Sequence, residues 1–240
     1  MVNGKSITVI IPCRNEEKII AQTIKNIPGY VDEIIVVDNG STDNTRKAAE
    51  EAGARVLTDE RTKNGVGYGC AIMKGLYFSG GDIVFTMDGD NTYPSYQIRG
   101  LVDYMDFNKL DFVSCSRLPL KNLKAISRTR QLGICVLNLV VFLLYGVKVR
   151  DILTGMWALR SEIVPKLDLR MCDWNLSPEI KIAAFANKEI RFGEHHIDHF
   201  ERLGEQSKQS IWKTGFGHLF YIIKRRFTQD RGYRKSLSYR

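Results

Sequence analysis

Along the first half of the chain, short apolar runs alternate with segments whose apolar positions recur on one helical face. Ser6–Ile11 is a β-branched run, and Ile19, Ile20, Ile24 and Ile27 follow it at helical spacing. Glu33–Asp38 predicts a second buried strand. The turn over 39–44 then leads into a helix, with Ser41 or Thr42 as the expected cap. Arg55–Leu57 predicts a short third strand, Gly69–Tyr77 a helix and Asp82–Met87 a fourth strand. Pro94–Phe107 predicts a helix with proline in its first turn, and Asp111–Cys115 a fifth strand. Strands alternating with helices imply βαβ units and a mostly parallel sheet with right-handed crossovers. Ligands of such sheets sit beyond the carboxyl ends of the strands. Three of those ends are polar here: Pro12–Glu17, Asp38–Asp43 and Asp88–Asn91.

The second half breaks the alternation. Leu132–Val147 is almost wholly apolar, interrupted by Asn138 and flanked by Arg128, Arg130, Lys148 and Arg150. As a helix it is roughly 24 Å long at 1.5 Å per residue, short of the roughly 30 Å of a bilayer core. Two readings remain, a buried core helix or a helix lying in a membrane interface with basic flanks. Ile211–Phe227 is a second amphipathic stretch, mixing Trp212, Phe216, Phe220 and Ile223 with Lys213 and Lys224–Arg226. The tail 228–240 is basic and reads as flexible.

Composition and charge narrow the class. With 240 residues, 44% hydrophobic and 26% charged, the chain is of ordinary globular make-up. It is long enough for one sizeable domain, expected over 1–227. The net charge of +8 is concentrated. Tyr221–Arg240 carries seven Lys/Arg against one Asp, and Ser116–Arg130 carries Arg117, Lys121, Lys124, Arg128 and Arg130 with no acid. Two basic patches on an otherwise acidic body point to polyanion contact at defined places, either anionic lipid or nucleic acid, and of the two an anionic membrane surface is the expected partner. Five scattered cysteines without a CxxC predict reduced thiols in the cytosol. The polar Met1–Ser6 does not read as a secretion signal.

The sharpest chemical feature is Asp88-Gly89-Asp90 directly after the fourth strand. Carboxylates two residues apart at a strand end suit a hard divalent cation that keeps open positions for a diphosphate, Mg²⁺ or Mn²⁺. A plain polar turn with an aspartate cap has the same composition. His195-His196-x-x-His199 suggests metal ligands, but the alternation around Ile190 and Phe192 predicts an edge strand instead. No glycine-rich phosphate loop follows the first strand. That counts against a dinucleotide-dependent dehydrogenase and a nucleotidyltransferase. A non-enzymatic basic membrane or RNA binder would leave the strand-end carboxylates unexplained.

Taken together, Pro12-Cys13-Arg14-Asn15-Glu16-Glu17, Asp38-Asn39-Gly40-Ser41-Thr42-Asp43 and Asp88-Gly89-Asp90-Asn91-Thr92-Tyr93-Pro94 resemble the GT-A fold of family 2 glycosyltransferases. Arg130-Gln131-Leu132-Gly133, Asp151–Met156 and Arg202-x-Gly204-x-x-Ser207-Lys208 extend the resemblance to the polyprenyl-phosphate (dolichyl-phosphate) hexosyltransferases. That resemblance implies an α/β domain with a nucleotide-sugar-binding half over 6–115 and an acceptor half over 116–210. The segments 128–147 and 211–227 would be interfacial helices. Pro12, Arg14, Glu16, Asp38, Asn39, Gly69, Asp88, Arg202 and Lys208 would contact the nucleotide-sugar, and Asp88 and Asp90 the metal. Asp90, Arg117, Arg130 and Glu179 are the expected catalytic set, with Glu179 orienting a sugar hydroxyl or an arginine, or merely opening a helix. The chain departs from the family at Asn39, where a second aspartate is usual, at Trp157, where an arginine often stands, and at Thr92, where Gln or His is common. The QxxRW of processive synthases is absent.

Phosphate as the acceptor also follows from chemistry. A sugar hydroxyl needs a base, whereas a phosphate monoester, with its second pKa near about 6, is already largely dianionic. It needs charge cancellation, which Arg117, Arg128 and Arg130 supply on this reading. The expected activity is inverting transfer of a hexose from a nucleotide-sugar, UDP- rather than GDP-linked, to polyprenyl or dolichyl phosphate at the cytoplasmic membrane face. The alternative is a family 2 enzyme acting on a sugar or protein hydroxyl.

Overall fold

The computed structural model describes residues 1–61, 66–202 and 210–228. Seven strands form one sheet in the order β3-β2-β1-β4-β6-β5-β7. They are β1 (Ile7–Cys13), β2 (Glu33–Asp38), β3 (Arg55–Thr58), β4 (Ile83–Thr86), β5 (Phe112–Ser116), β6 (Trp157–Arg160) and β7 (Phe192–His196). β6 alone runs against the rest, antiparallel to both β4 and β5. In β1 every residue is buried, as the unbroken apolar run requires of a strand covered on both faces. Alternate side chains serve opposite layers. Val9 and Ile11 pack with Ile20 and Ile24 of α1 (Ile20–Lys25) and with Ile98, Leu101 and Met105 of α4 (Ile98–Phe107). Ile10 packs instead with Ile72 and Leu76 of α3 (Tyr68–Phe78) and with Leu176 and Ile180 of α6 (Leu176–Ala186).

Parallel register brings the polar strand ends together: Cys13 pairs with Asp38, and Ile10 with Thr86, two residues before Asp88. The helix after β2, α2, spans Thr45–Glu51 and begins later than expected. Its N-cap is Asn44, and Ser41 instead accepts a hydrogen bond from Asn15 N at 2.9 Å. The serine is spent lacing two loops together.

β6 was not expected from the sequence, and it carries Trp157 into the core against the Phe112 ring, 5.7 Å between centroids. A side chain at this position therefore serves packing and reaches no phosphate. The histidines divide as an edge strand predicts, since β7 ends the sheet. His195 lies against Tyr104, and the His196 ring meets the Pro119 carbonyl.

The long apolar helix, α5, spans Arg128–Tyr145, capped by Ser127 and ended by Gly146 at φ 71°. Counting from Arg128 makes it 18 residues, about 27 Å, so by length and composition alone it could cross a membrane; Leu132–Val147 taken alone was expected to be too short. One side is already occupied. Leu137 and Val141 pack with Ile182 of α6 and with Tyr221 and Ile222 of α7 (Ile211–Thr228). The interrupting Asn138 has a job there: its amide donates to Arg150 O and its oxygen accepts from Ile152 N, tying α5 to the loop of Asp151. The opposite side exposes Leu132, Leu139 and Leu143, at 66, 56 and 71%. The buried-core reading holds for one face only.

The expectation of five reduced thiols is corrected: Cys70 of α3 and Cys172 are joined as a disulfide across 102 residues of sequence. Spacing could not reveal a pair whose partners meet only when α3 docks on the segment before α6. Cys13, Cys115 and Cys135 are free.

Candidate active site

A cleft of about 750 Å³ opens over the carboxyl ends of β1, β2 and β4. Its floor starts at the loops after β1 and β2, which are stitched to each other. Thr42 N donates to Asn15 Oδ1 at 2.8 Å and Glu16 N to Thr45 Oγ1 at 2.8 Å. Asn15 takes φ 51°, a left-handed conformation that asparagine tolerates. This lacing points Pro12, Arg14 and Glu16 into the cleft, and Asn39 lines it beside them.

Asp88 and Asp90 stand at the centre. Asp90 Oδ1 accepts from the Thr92 backbone at 3.2 Å and its hydroxyl at 2.7 Å. Arg202 lies 3.4 Å from Asp90 and donates to Glu16 at 2.6 Å, clasping the first loop to the carboxylate pair. Tyr68 donates to Asp88 at 3.3 Å. Gly155 comes so close that a Cβ there would meet the Asp88 carboxylate at 3.0 Å, so a larger residue would have to push that carboxylate aside. Burial, and next the charge of Asp90, push the Asp88 carboxyl up to about 7 despite Arg117. Two crowded carboxylates held this way make an all-oxygen donor set that a hard divalent cation fits. Among the described residues no cluster of three or more His, Cys, Asp or Glu ligands accompanies them.

Behind the pair, Arg117 makes a two-pronged contact with Asp151, 2.7 and 3.0 Å, and Asp151 is wholly buried. Burial opposes the charge of Arg117, but Asp151 beside it raises its pKa. Arg130 also lines the cleft. Burial first, then the guanidinium groups of Arg117 and Arg202, hold its pKa down. Of the three arginines gathered here, Arg117 is paired with Asp151, and Arg202 with Glu16 and Asp90. From Arg130 the cleft continues between α5 and α7, lined by Leu132, Val136, Leu137, Ile211, Phe216 and Leu219. Its polar end and its greasy end are one space.

Several expected site residues do not reach this space. Asp38 is fully buried, its carboxylate taken by Ser41 N and by Arg46 at 2.6 Å, so it shapes the loop and does not line the cleft. Gly69 lies under the wall, where a Cβ would strike the Met171 carbonyl at 2.0 Å; Gly67 and Tyr68 line the cleft instead. Glu179 is corrected likewise. It is fully buried, and it accepts from Arg170 N, Met171 N and the Tyr221 hydroxyl at 2.8–3.1 Å, so it is a brace between α6 and α7. Arg128 is exposed and outside the cleft. Lys208 lies outside the described residues.

Other residues were missed. Tyr93, Trp174, Ser177 and His199 line the cleft. Lys181 is fully buried, donating to the Thr154 carbonyl at 2.7 Å and the Ser177 carbonyl at 2.9 Å. A lysine inside α6 was the only outward signal of that anchor.

This arrangement, with polar loops on parallel strand ends and a DxD pair at the sheet's centre, is that of a transferase of the GT-A fold. A crystal structure of glucosyl-3-phosphoglycerate synthase from Mycobacterium tuberculosis with Mn²⁺, UDP and phosphoglyceric acid has the same fold. Its TM-score is 0.70 at 22% identity, covering 97% of this chain and 81% of the other. Residues 8–164 match the sequence model of glycosyl transferase family 2, and the chain belongs to that family. Relatives include a UDP-N-acetylglucosamine–dolichyl-phosphate N-acetylglucosaminyltransferase of Methanococcus voltae, 30% identical, covering 79% of this chain and 84% of the relative. A dolichyl-phosphate hexose transferase of Haloferax volcanii is also 30% identical, covering 83% and 85%. The protein is therefore a glycosyltransferase.

Proposed function

We propose that this glycosyltransferase moves a hexosyl group from a UDP-sugar to the phosphate of a polyprenyl or dolichyl lipid at the cytoplasmic face of a membrane, inverting the anomeric centre. The observation that carries the reading is the continuity of the cleft: carboxylates, then converging arginines, then an apolar slot between α5 and α7 that opens on exposed leucines and aromatics. A lipid phosphate has the same order of parts. The names of the two archaeal relatives support the acceptor, and one of them supports the UDP donor.

On this reading Pro12, Arg14, Glu16 and Asn39 face the nucleoside. Asp88 and Asp90 would hold Mg²⁺ or Mn²⁺, whose chemistry is to offset the charge of the departing diphosphate. Arg130, backed by Arg117 and Arg202, holds the acceptor phosphate. One of that phosphate's oxygens attacks the anomeric carbon as the bond to the diphosphate oxygen breaks. No proton has to be removed from the dianion. The carboxylates lining the cleft, Glu16, Asp88 and Asp90, are therefore left to their other partners. The apolar faces of α5 and α7, with Lys224, Arg225 and Arg226 on α7, suit the interface of an anionic bilayer.

A second reading is a soluble phosphorylated acceptor, favoured by the fold shared with an enzyme crystallised with phosphoglyceric acid. One experiment separates the two. The protein is incubated with UDP-glucose, UDP-N-acetylglucosamine and GDP-mannose, each with a short polyprenyl phosphate or with 3-phosphoglycerate. Product forms with a UDP-sugar and the lipid phosphate, and its anomeric configuration is read by NMR. Transfer to 3-phosphoglycerate alone would overturn the lipid reading, and transfer from GDP-mannose alone the UDP assignment.

A further inference from the structure

One cleft residue has no part in the scheme above. Trp174 stands on the 171–175 segment between β6 and α6, and its ring forms a half-exposed part of the cleft wall. Burying an indole would remove a large apolar surface from water, yet here part of that surface is left facing the cleft. It is also held from every side. Its ring packs on Tyr68, 4.7 Å between centroids, and the Tyr68 hydroxyl reaches Asp88 at 3.3 Å. Two residues earlier, Cys172 is tied to α3 by the disulfide to Cys70, and its carbonyl accepts from Gly69 N at 2.8 Å. On its other side, Asn175 Oδ1 meets the His218 ring of α7 at 2.9 Å. An aromatic plate on a segment fixed to two helices, α3 and α7, and left bare toward a cavity is preorganised for a flat apolar ligand surface.

We infer that Trp174 is the platform on which the transferred hexose rests, a donor-sugar subsite for a pyranose ring whose C–H face stacks on the indole. The placement follows from connectivity. A diphosphate at Asp88 and Asp90 carries the sugar on its far phosphate, so the hexose lies within one ring's width of the carboxylates. Tyr68 bridges that distance, touching Asp88 with its hydroxyl and Trp174 with its ring. A pyranose has polar edges for hydroxyl contacts and a face of C–H groups, and an aromatic plane beside polar groups matches that division. The inference rests on the nucleotide-sugar reading above and adds the residue that recognises the sugar.

The test compares each nucleotide-sugar with its own nucleoside diphosphate. Titration calorimetry with Mn²⁺ measures UDP against UDP-glucose and UDP-N-acetylglucosamine, and GDP against GDP-mannose, for wild type, Trp174→Ala and Trp174→Phe. The platform predicts that Trp174→Ala weakens the preferred sugar nucleotide about tenfold while leaving the matching diphosphate unchanged, and that Trp174→Phe keeps most of the affinity. Unchanged diphosphate binding also shows that the variant folds. Equal losses for diphosphate and sugar nucleotide, or no loss for either, would overturn the platform while leaving the donor reading intact. If wild type binds none of these nucleotides, the donor reading itself falls and the platform with it.

Discussion

Arg130 offers the sharpest test of the acceptor, because its neighbours behave differently when cut away. Arg130 shares the cleft with Arg117 and Arg202; burial first, and then their charges, hold its pKa down, and an arriving phosphate would favour its charged form. A hydrogen bond to a charged group contributes about 1.5–3 kcal/mol. Arg130→Ala should therefore raise the KM for a short polyprenyl phosphate roughly ten- to hundredfold, at about 1.4 kcal/mol per decade. Arg130→Lys should recover part of this, since a point charge lacks the two-pronged fork. The assay is initial rate against lipid phosphate at saturating sugar nucleotide, with nucleotide affinity measured separately by calorimetry. Arg117→Ala is a poorer probe. It would strip Asp151, wholly buried, of its partner, and breaking a buried pair costs about 3–5 kcal/mol. That variant should melt early, and its lost activity would say little about phosphate. An Arg130→Ala protein with normal lipid KM but weakened nucleotide binding would refute the assignment and move the residue to the donor side.

Asp90→Asn should abolish transfer and weaken Mn²⁺-dependent nucleotide binding while the circular dichroism spectrum stays unchanged; equal activity in EDTA would contradict a metal at Asp88 and Asp90. Glu179→Ala should leave donor and acceptor KM near wild type but lower the free energy of unfolding by about 1–3 kcal/mol for each buried donor it orphans, measured by urea unfolding. Replacing Leu139, Phe142 and Leu143 with Ser, or Lys224 with Gln, should reduce sedimentation with anionic vesicles, the second change by about 1 kcal/mol and only at low salt. Burial alone would raise the Asp106 carboxyl, but hydrogen bonds from Lys5, Arg160 and Asn3 bring it down to about 2. Because the folded value is the lower one, its contribution is present above the unfolded pKa of about 4 and is lost as pH falls through 2, so Asp106→Asn should destabilise the protein at neutral pH and much less at pH 2.

What the sequence could tell depended on whether the information was local. β1, β2, β4 and β5 each announce themselves as β-branched or aromatic apolar runs, and helices between them require parallel order, so the polar strand ends had to converge. β6 gives no such signal. Trp157–Arg160 is four residues long, and it becomes a strand because β4 and β5 flank it from far away in sequence. The same division runs through the site. Asp88 and Asp90 line the cleft as expected because they directly follow a buried strand whose carboxyl end opens on it, although the pair alone is also a plain polar turn. Asp38 and Asn39 show where adjacency misleads, because neighbouring residues at a strand end point opposite ways. Asn39 therefore faces the cleft while Asp38 turns inward to Arg46.

Glu179 failed for a related reason, since a carboxylate near the acceptor segment is equally good at catching backbone donors, and only packing decides which it does. Trp174 left no trace in the pattern at all. Its meaning comes from Tyr68, a disulfide and a helix that meet around it only in the folded chain. The nucleotide end of the cleft is written in loops attached to their own strands, so its chemistry can be read in order. On the proposed function, the parts of the cleft assigned to sugar and lipid are assembled from α3, α5, α6 and α7. On that reading specificity resides where sequence order carries least information, and substitutions at those helix contacts should change which sugar or lipid is used while the DxD chemistry remains.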